Sequence, residues 1–215
     1  MQRLALFDLD NTLIDLDAAF RVWIVEFADQ HRLPHGATDW LVSLDRDGLP
    51  HREEFFAKVR GEFGLPEPVD VLWGAYRRRM PHLVRCRTEV LNGLVRLRGA
   101  GWKVGIVTNG TADNQLGKIQ RTGLIDVVDA YALSGLEGVR KPERGLFEIA
   151  ARRCGASLEE GGWMVGDRLD ADITGGRAAG LRTIWINRDG SASEHKEADH
   201  VVTDVVRAME ILRES

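Results

Sequence analysis

Residues Leu4–Asp15 read LALFDLDNTLID. Four apolar residues run into two carboxylates, Asp8 and Asp10, set one residue apart. On a strand, residues two apart point to the same face. Two like charges placed there repel, and neither is easily buried. A solvated strand end, or the N-cap of a following helix, would account for one acid cheaply. Keeping both on one face calls for a site that uses both. The short, near-continuous apolar run before them suits a strand of a parallel sheet covered on both faces.

Similar short runs recur at Val104–Val107, Val127–Leu133, Trp163–Val165 and Thr183–Ile186, with Val201 and Val202 as a last short strand. Between them lie segments of helical period, Glu89–Ala100, Asn114–Thr122, Arg144–Cys154 and Ile173–Ala179, followed by Gly101, Gly123, Gly155 and Gly180. Glycine is the favoured residue just past a helix end. A final helix runs from Asp204 onward. Strands alternating with helices predict right-handed crossovers and an α/β, doubly wound, Rossmann-like parallel sheet. Residues 15–87 break the alternation. Their period is helical throughout, as in Phe20, Trp23, Ile24 and Phe27, with further helices at Asp39–Asp45, Arg52–Phe63 and Val69–Val84. The expected organisation is a core of residues 1–14 and 88–215, with an all-helical insert of residues 15–87 after the first strand.

The 215 residues carry 44% hydrophobic and 29% charged side chains and a net charge of −4. At this length folding hides roughly 70% of the unfolded surface, so no disulfide or metal staple is needed. The balance lacks the basic surplus that marks a nucleic-acid binder. No apolar stretch approaches the ~20 residues of a membrane span, and the N-terminus has no signal-peptide pattern. Cys86 and Cys154 have no metal-ligand spacing and read as reduced, partly buried thiols in a reducing compartment, and a cytoplasmic protein is the expectation. Nothing in the sequence chooses between a monomer and a homodimer. Arg188–Glu197, RDGSASEHKE, reads as the flexible segment.

In an open parallel sheet, ligands bind beyond the carboxyl ends of the strands. Those ends here are Asp8-Leu9-Asp10-Asn11-Thr12, Thr108-Asn109-Gly110 and Gly166-Asp167-Arg168-Leu169-Asp170-Ala171-Asp172, joined by Arg140-Lys141-Pro142 before a helix. Acids, a hydroxyl, a lysine and glycine turns gather at one edge. Taken in order, DLDNT, TNG, the lysine of KP and GDRLDAD resemble the four motifs of the haloacid dehalogenase-like superfamily, in its phosphatase branch. The insert occupies the place of that family's first-type helical cap.

The resemblance implies a Mg2+-dependent phosphohydrolase of small phosphomonoesters, sugar phosphates or nucleoside monophosphates, working through an aspartyl-phosphate. Asp8 is then the nucleophile. Asp10 is the acid that protonates the leaving oxygen and the base that later deprotonates water. Lys141 supplies positive charge beside Asp8, and Thr108 with the Asn109 amide holds the phosphoryl oxygens. The Mg2+ ligands implied are the Asp8 carboxylate, the Asp10 backbone carbonyl, Asp167 and Asp172, the last directly or through water. The chemistry fits these residue types. A carboxylate is ionised at neutral pH and needs no activating base, but as an anion attacking an anion it needs concentrated positive charge nearby.

A dehalogenase would use the first aspartate, yet has no use for a proton-shuttling acid two residues later or for a metal. A phosphomutase shares the whole catalytic set and stays open. A regulatory receiver or a non-catalytic phosphate-binding domain fits poorly with the insert and the intact Asp-x-Asp pair. Outside the motifs, Asp45-Arg46-Asp47-Gly48 reads as a polar turn, and Arg21, Arg77, Arg78 and Arg79 as a solvated face with a minor claim on a substrate charge.

Overall fold

The computed structural model describes residues 2–46, 52–190 and 197–215. In chain order its elements are β1 (Leu4–Phe7), α1 (Leu16–His31), α2 (Ala37–Arg46), α3 (Arg52–Phe63), α4 (Val69–Leu83), α5 (Thr88–Gly99), β2 (Lys103–Thr108), α6 (Ala112–Arg121), α7 (Leu124–Val127), β3 (Ala130–Leu133), α8 (Ser134–Glu137), α9 (Arg144–Arg153), β4 (Trp163–Gly166), α10 (Gly175–Ala178), β5 (Arg182–Ile186), β6 (His200–Val202) and α11 (Val205–Glu214). A π-helical turn, Leu169–Thr174, leads into α10. The chain divides into two compact units, Met1–Asp15 with Arg85–Ser215, and Leu16–Val84.

The first unit is built on one six-stranded sheet in the order β3-β2-β1-β4-β5-β6, parallel at every pairing. Parallel neighbours need crossover connections, which the intervening helices provide. β1 lies between β2 and β4, so the chain leaves it first to one side and later crosses to the other. That arrangement opens a crevice beyond the carboxyl end of β1. Leu4, Ala5, Leu6 and Phe7 are all fully buried, which is why the run is continuous rather than alternating. Leu146, Phe147, Ala150 and Ala151 of α9 pack with Leu4, Leu6, Val107 and Met164 in one core layer. Gly101 and Gly155, just past α5 and α9, take left-handed φ angles of 85° and 71°, the geometry for which glycine is favoured there.

Two predicted elements shift. The Val127–Leu133 run is not strand throughout: Val127 closes the one-turn α7, and β3 starts at Ala130. Asp129 sets that start, its amide donating to Val104 O and its carboxylate accepting from Val104 N, both at 2.8 Å. An apolar run alone does not separate a helical turn from a strand. The helix expected from Ile173 instead begins with the π-helical turn, wound around the Asp172 carboxylate, which accepts from Arg168 N at 3.0 Å.

Among the described residues the second unit contains helices alone. Trp23 of α1 is its hub, with ring centroids 4.7 Å from Phe27, 4.9 Å from Tyr76 and 5.7 Å from Phe56. Offset and edge-on pairs of this kind add to the area they bury. Arg52 lies over Phe20, Phe55 and Tyr76, 5.1 to 5.4 Å from their centroids, and pairs with Asp45. Arg79 pairs with Glu26 through two bonds of 2.7 and 2.6 Å. Asp47 and Gly48 of the polar turn, and Ser191–Lys196 of the predicted flexible segment, lie outside the described residues.

Candidate active site

Asp8 follows β1, and its amide donates to Val165 O at 2.9 Å, carrying the β1–β4 ladder one residue beyond the strand. The chain then turns back on itself. Leu9 O accepts from the amides of Thr12, Leu13 and Ile14 at 3.4, 3.0 and 3.1 Å, and Asn11 sits at φ 58°, a left-handed conformation that asparagine tolerates. Leu9, between the two acids, is fully buried in this turn. The Asp8 side chain keeps 8% of its surface, whereas that of Asp10 keeps 21%.

Asp8 stands in a cluster drawn from three parts of the chain. Lys141 Nζ donates to Asp8 Oδ1 at 2.5 Å and to Asp172 Oδ1 at 2.6 Å. Carboxylate oxygens of Asp8, Asp167 and Asp172 lie within 4.8 Å of one another. Thr12 Oγ1 approaches Asp167 Oδ1 at 3.5 Å, and Trp185 Nε1 donates to the Asp167 carbonyl at 2.9 Å. Asp172 is fixed on both oxygens, by Lys141 and by Arg168 N. A Cβ at Gly166 would lie 2.2 Å from Asp172 Oδ2, so glycine at that strand end is what leaves room for this carboxylate. Asp170 turns away and pairs with Arg168 at the surface.

The charges explain the titration behaviour. Burial pushes the Asp8 carboxyl well above the ordinary 3.8; Lys141 pulls it back, while Asp172, Asp167 and Asp10 add to the push. Burial, then the Asp172 charge, raises Asp167 to about 7, with Lys141 opposing. Burial works against the Lys141 charge, yet Asp172 and Asp8 hold its ammonium above the usual lysine range. One lysine thus faces three acids, a surplus of negative charge built wholly of hard oxygen donors. That donor set fits a small divalent cation.

Asp10 has partners of its own. Its carboxylate accepts from Lys118 Nζ at 2.8 and 2.9 Å and from Gln115 Nε2 at 2.9 Å. Gln115 Nε2 also donates to Thr108 Oγ1 at 2.7 Å. Of the residues expected to bind phosphate, Thr108 is therefore tied to Asp10 through Gln115. Asn109 is tied to Lys141: its Nδ2 donates to Lys141 O at 3.0 Å and its Oδ1 accepts from Lys141 N at 2.9 Å. Lys118, Gln115 and the clamping role of the Asn109 side chain are absent from the sequence reading. A signal was there for α6. ADNQLGKIQR has only Leu116 and Ile119 as large apolar residues, too few for the apolar stripe of a helix packed on a sheet.

The haloacid dehalogenase-like hydrolase profile matches residues 2–180. The chain belongs to that family. Glyceraldehyde 3-phosphate phosphatase from Pyrococcus furiosus is 31% identical over 219 residues, covering 96% of this chain and 91% of its own. The pyrimidine 5'-nucleotidase PynA from Streptococcus pneumoniae is 25% identical over 197 residues, 85% of this chain and 82% of its own. Among solved structures, a HAD phosphatase from Thermococcus onnurineus superposes with a TM-score of 0.72 at 26% identity, covering 99% of this chain and 98% of that one. Among the described residues no helix is long and apolar enough to cross a membrane.

Proposed function

We propose that this haloacid dehalogenase-like hydrolase is a Mg2+-dependent phosphatase of small phosphomonoesters, with Asp8 as the nucleophile. The observation that carries the reading is the cluster at the end of β1, three carboxylates within 4.8 Å with Lys141 Nζ 2.5 Å from Asp8. Asp8, Asp167 and Asp172 would hold the cation, with the Asp10 carbonyl as a further ligand. When bound, Mg2+ supplies the positive charge that lets an anionic nucleophile approach an anionic ester.

The chain's own residues supply the rest. Asp8 attacks phosphorus, the bond to the leaving oxygen breaks, and Asp10 gives that oxygen its proton. Water then attacks the phosphorus of the aspartyl-phosphate and yields its proton to Asp10, and the bond to the Asp8 oxygen breaks. Both aspartates return to their starting forms. Lys141 neutralises charge at Asp8, and Thr108 with the Asn109 amide would hold phosphoryl oxygens. The substrate class is sugar phosphates or nucleoside monophosphates, in line with the glyceraldehyde 3-phosphate phosphatase and the nucleotidase among its relatives. Residues 16–84 would act as the cap and carry much of the selection among them.

Phosphate release from a panel of such esters, with Mg2+ and with chelator, tests the reading. Turnover should require the metal and fall by at least ~10^3-fold in Asp8→Asn, as removal of a nucleophile does elsewhere. Turnover that survives Asp8→Asn would sink it.

A further inference from the structure

Lys118 is 2% exposed and Gln115 1% exposed, deeper than their residue types usually sit. A lysine this buried is retained against a large desolvation cost, and an apolar side chain of its size would serve packing as well or better. Its ammonium engages both oxygens of Asp10. Gln115 lies three positions earlier on the same face of α6 and adds a third donor. Asp10 itself belongs to a turn with Asn11 in a left-handed conformation, and α6 reaches across to hold both oxygens of its carboxylate.

We propose that Lys118 and Gln115 are positioning residues for the proton-transfer steps. They hold the Asp10 carboxylate where it meets first the leaving oxygen and then the attacking water. Gln115 has a second consequence. Because its amide donates to Thr108 Oγ1, that hydroxyl acts as an acceptor toward α6, and its own proton is left with a long contact, 3.5 Å to Asn109 O. The proton is available to a phosphoryl oxygen. The inference rests on the assignment of Asp8 and Asp10 above and concerns where Asp10 is held.

The test uses leaving groups of different quality. p-Nitrophenolate departs without a proton, so formation of the aspartyl-phosphate from p-nitrophenyl phosphate does not need a placed Asp10, whereas its hydrolysis does. Glycerol phosphate needs Asp10 in both halves. In Lys118→Met, kcat for the aryl ester should fall ~10- to 100-fold, the scale of a misplaced catalytic group, with kcat/KM nearly unchanged and a p-nitrophenol burst of one per active site. For the alkyl ester kcat and kcat/KM should fall together. Lys118→Arg should recover most of the loss. The burst amplitude counts competent sites, so dividing by it removes any effect of misfolded protein. Gln115→Met, which deletes no buried charge, should give the same burst if Lys118→Met does not fold. Equal losses of kcat/KM for both esters, or no loss once rates are divided by the burst, would overturn the inference alone. A wild type that releases nothing from any ester overturns the phosphatase reading and this inference with it.

Discussion

Among the described residues, the buried polar and charged side chains, with Asp8, Thr108, Gln115, Lys118, Lys141 and Asp172 among them, belong to the sheet unit, while the helical unit closes around Phe20, Trp23, Phe55, Phe56 and Tyr76. The helical unit follows the rule that folding favours: apolar rings inside, paired charges such as Arg79–Glu26 at the surface. The sheet unit departs from that rule most strongly beyond the carboxyl end of β1, where the buried charges gather. Buried charge is costly unless paired, and here three acids share one buried lysine. Such an arrangement lowers stability where it stands, which is the mark of a site kept for its chemistry rather than for the fold.

The contrast can be broken at either end. Trp23→Ala removes the ring at the hub of the helical unit and should cost about 3–5 kcal/mol in denaturant unfolding, the range for large aromatic cavities. A loss below that range would mean the unit is loosely packed. Gly166→Ala strikes the other region: a Cβ 2.2 Å from Asp172 Oδ2 must displace that carboxylate. The Mg2+ affinity, read from metal-dependent thermal stabilisation, should drop ~10- to 100-fold, as for other disturbed ligand supports.

Stability against pH sharpens the comparison further. The folded protein holds the Asp167 carboxyl at about 7, against the ordinary 3.8. A carboxyl raised in this way binds its proton in the fold before the unfolded chain does. Its contribution to stability is complete below 3.8 and is lost as the pH climbs through 7. In chelator, Tm should therefore decline from pH 4 to pH 7 more steeply in the wild type than in Asp167→Asn. Saturating Mg2+ should flatten the difference, because a cation takes the place of the proton. Identical slopes for the two proteins in chelator would contradict the burial effect. The smallest change belongs to Asp170→Asn. This residue shares the acidic loop yet faces solvent with Arg168, and unfolding free energy should move by less than ~0.5 kcal/mol.

Much of this was legible beforehand. The Leu4–Phe7 run marks a doubly covered strand because every residue in it is apolar, and Arg52–Phe63 marks a helix because its apolar positions recur on one face. Both signals are local and repeat along the chain. Asp8, Lys141, Asp167 and Asp172 stood out because acids and a lysine at successive strand ends have no packing use. Lys118 and Gln115 did not, since a polar residue on a helix reads as solvated until the surface that covers it is known. Asp129 and the π-helical turn at Leu169–Thr174 escaped for the same reason: each depends on a hydrogen bond to a partner whose position local pattern does not fix.

The sequence by itself determined the α/β alternation, the helical insert and the edge where the acids collect, since periodicity and turn residues act within a few positions of one another. Only the tertiary structure decided which charges meet. Lys141 reaches Asp8 across 133 positions and Lys118 reaches Asp10 across 108. Those distances close because the strand order sets β1 between β2 and β4, and the burial that follows makes each pairing obligatory.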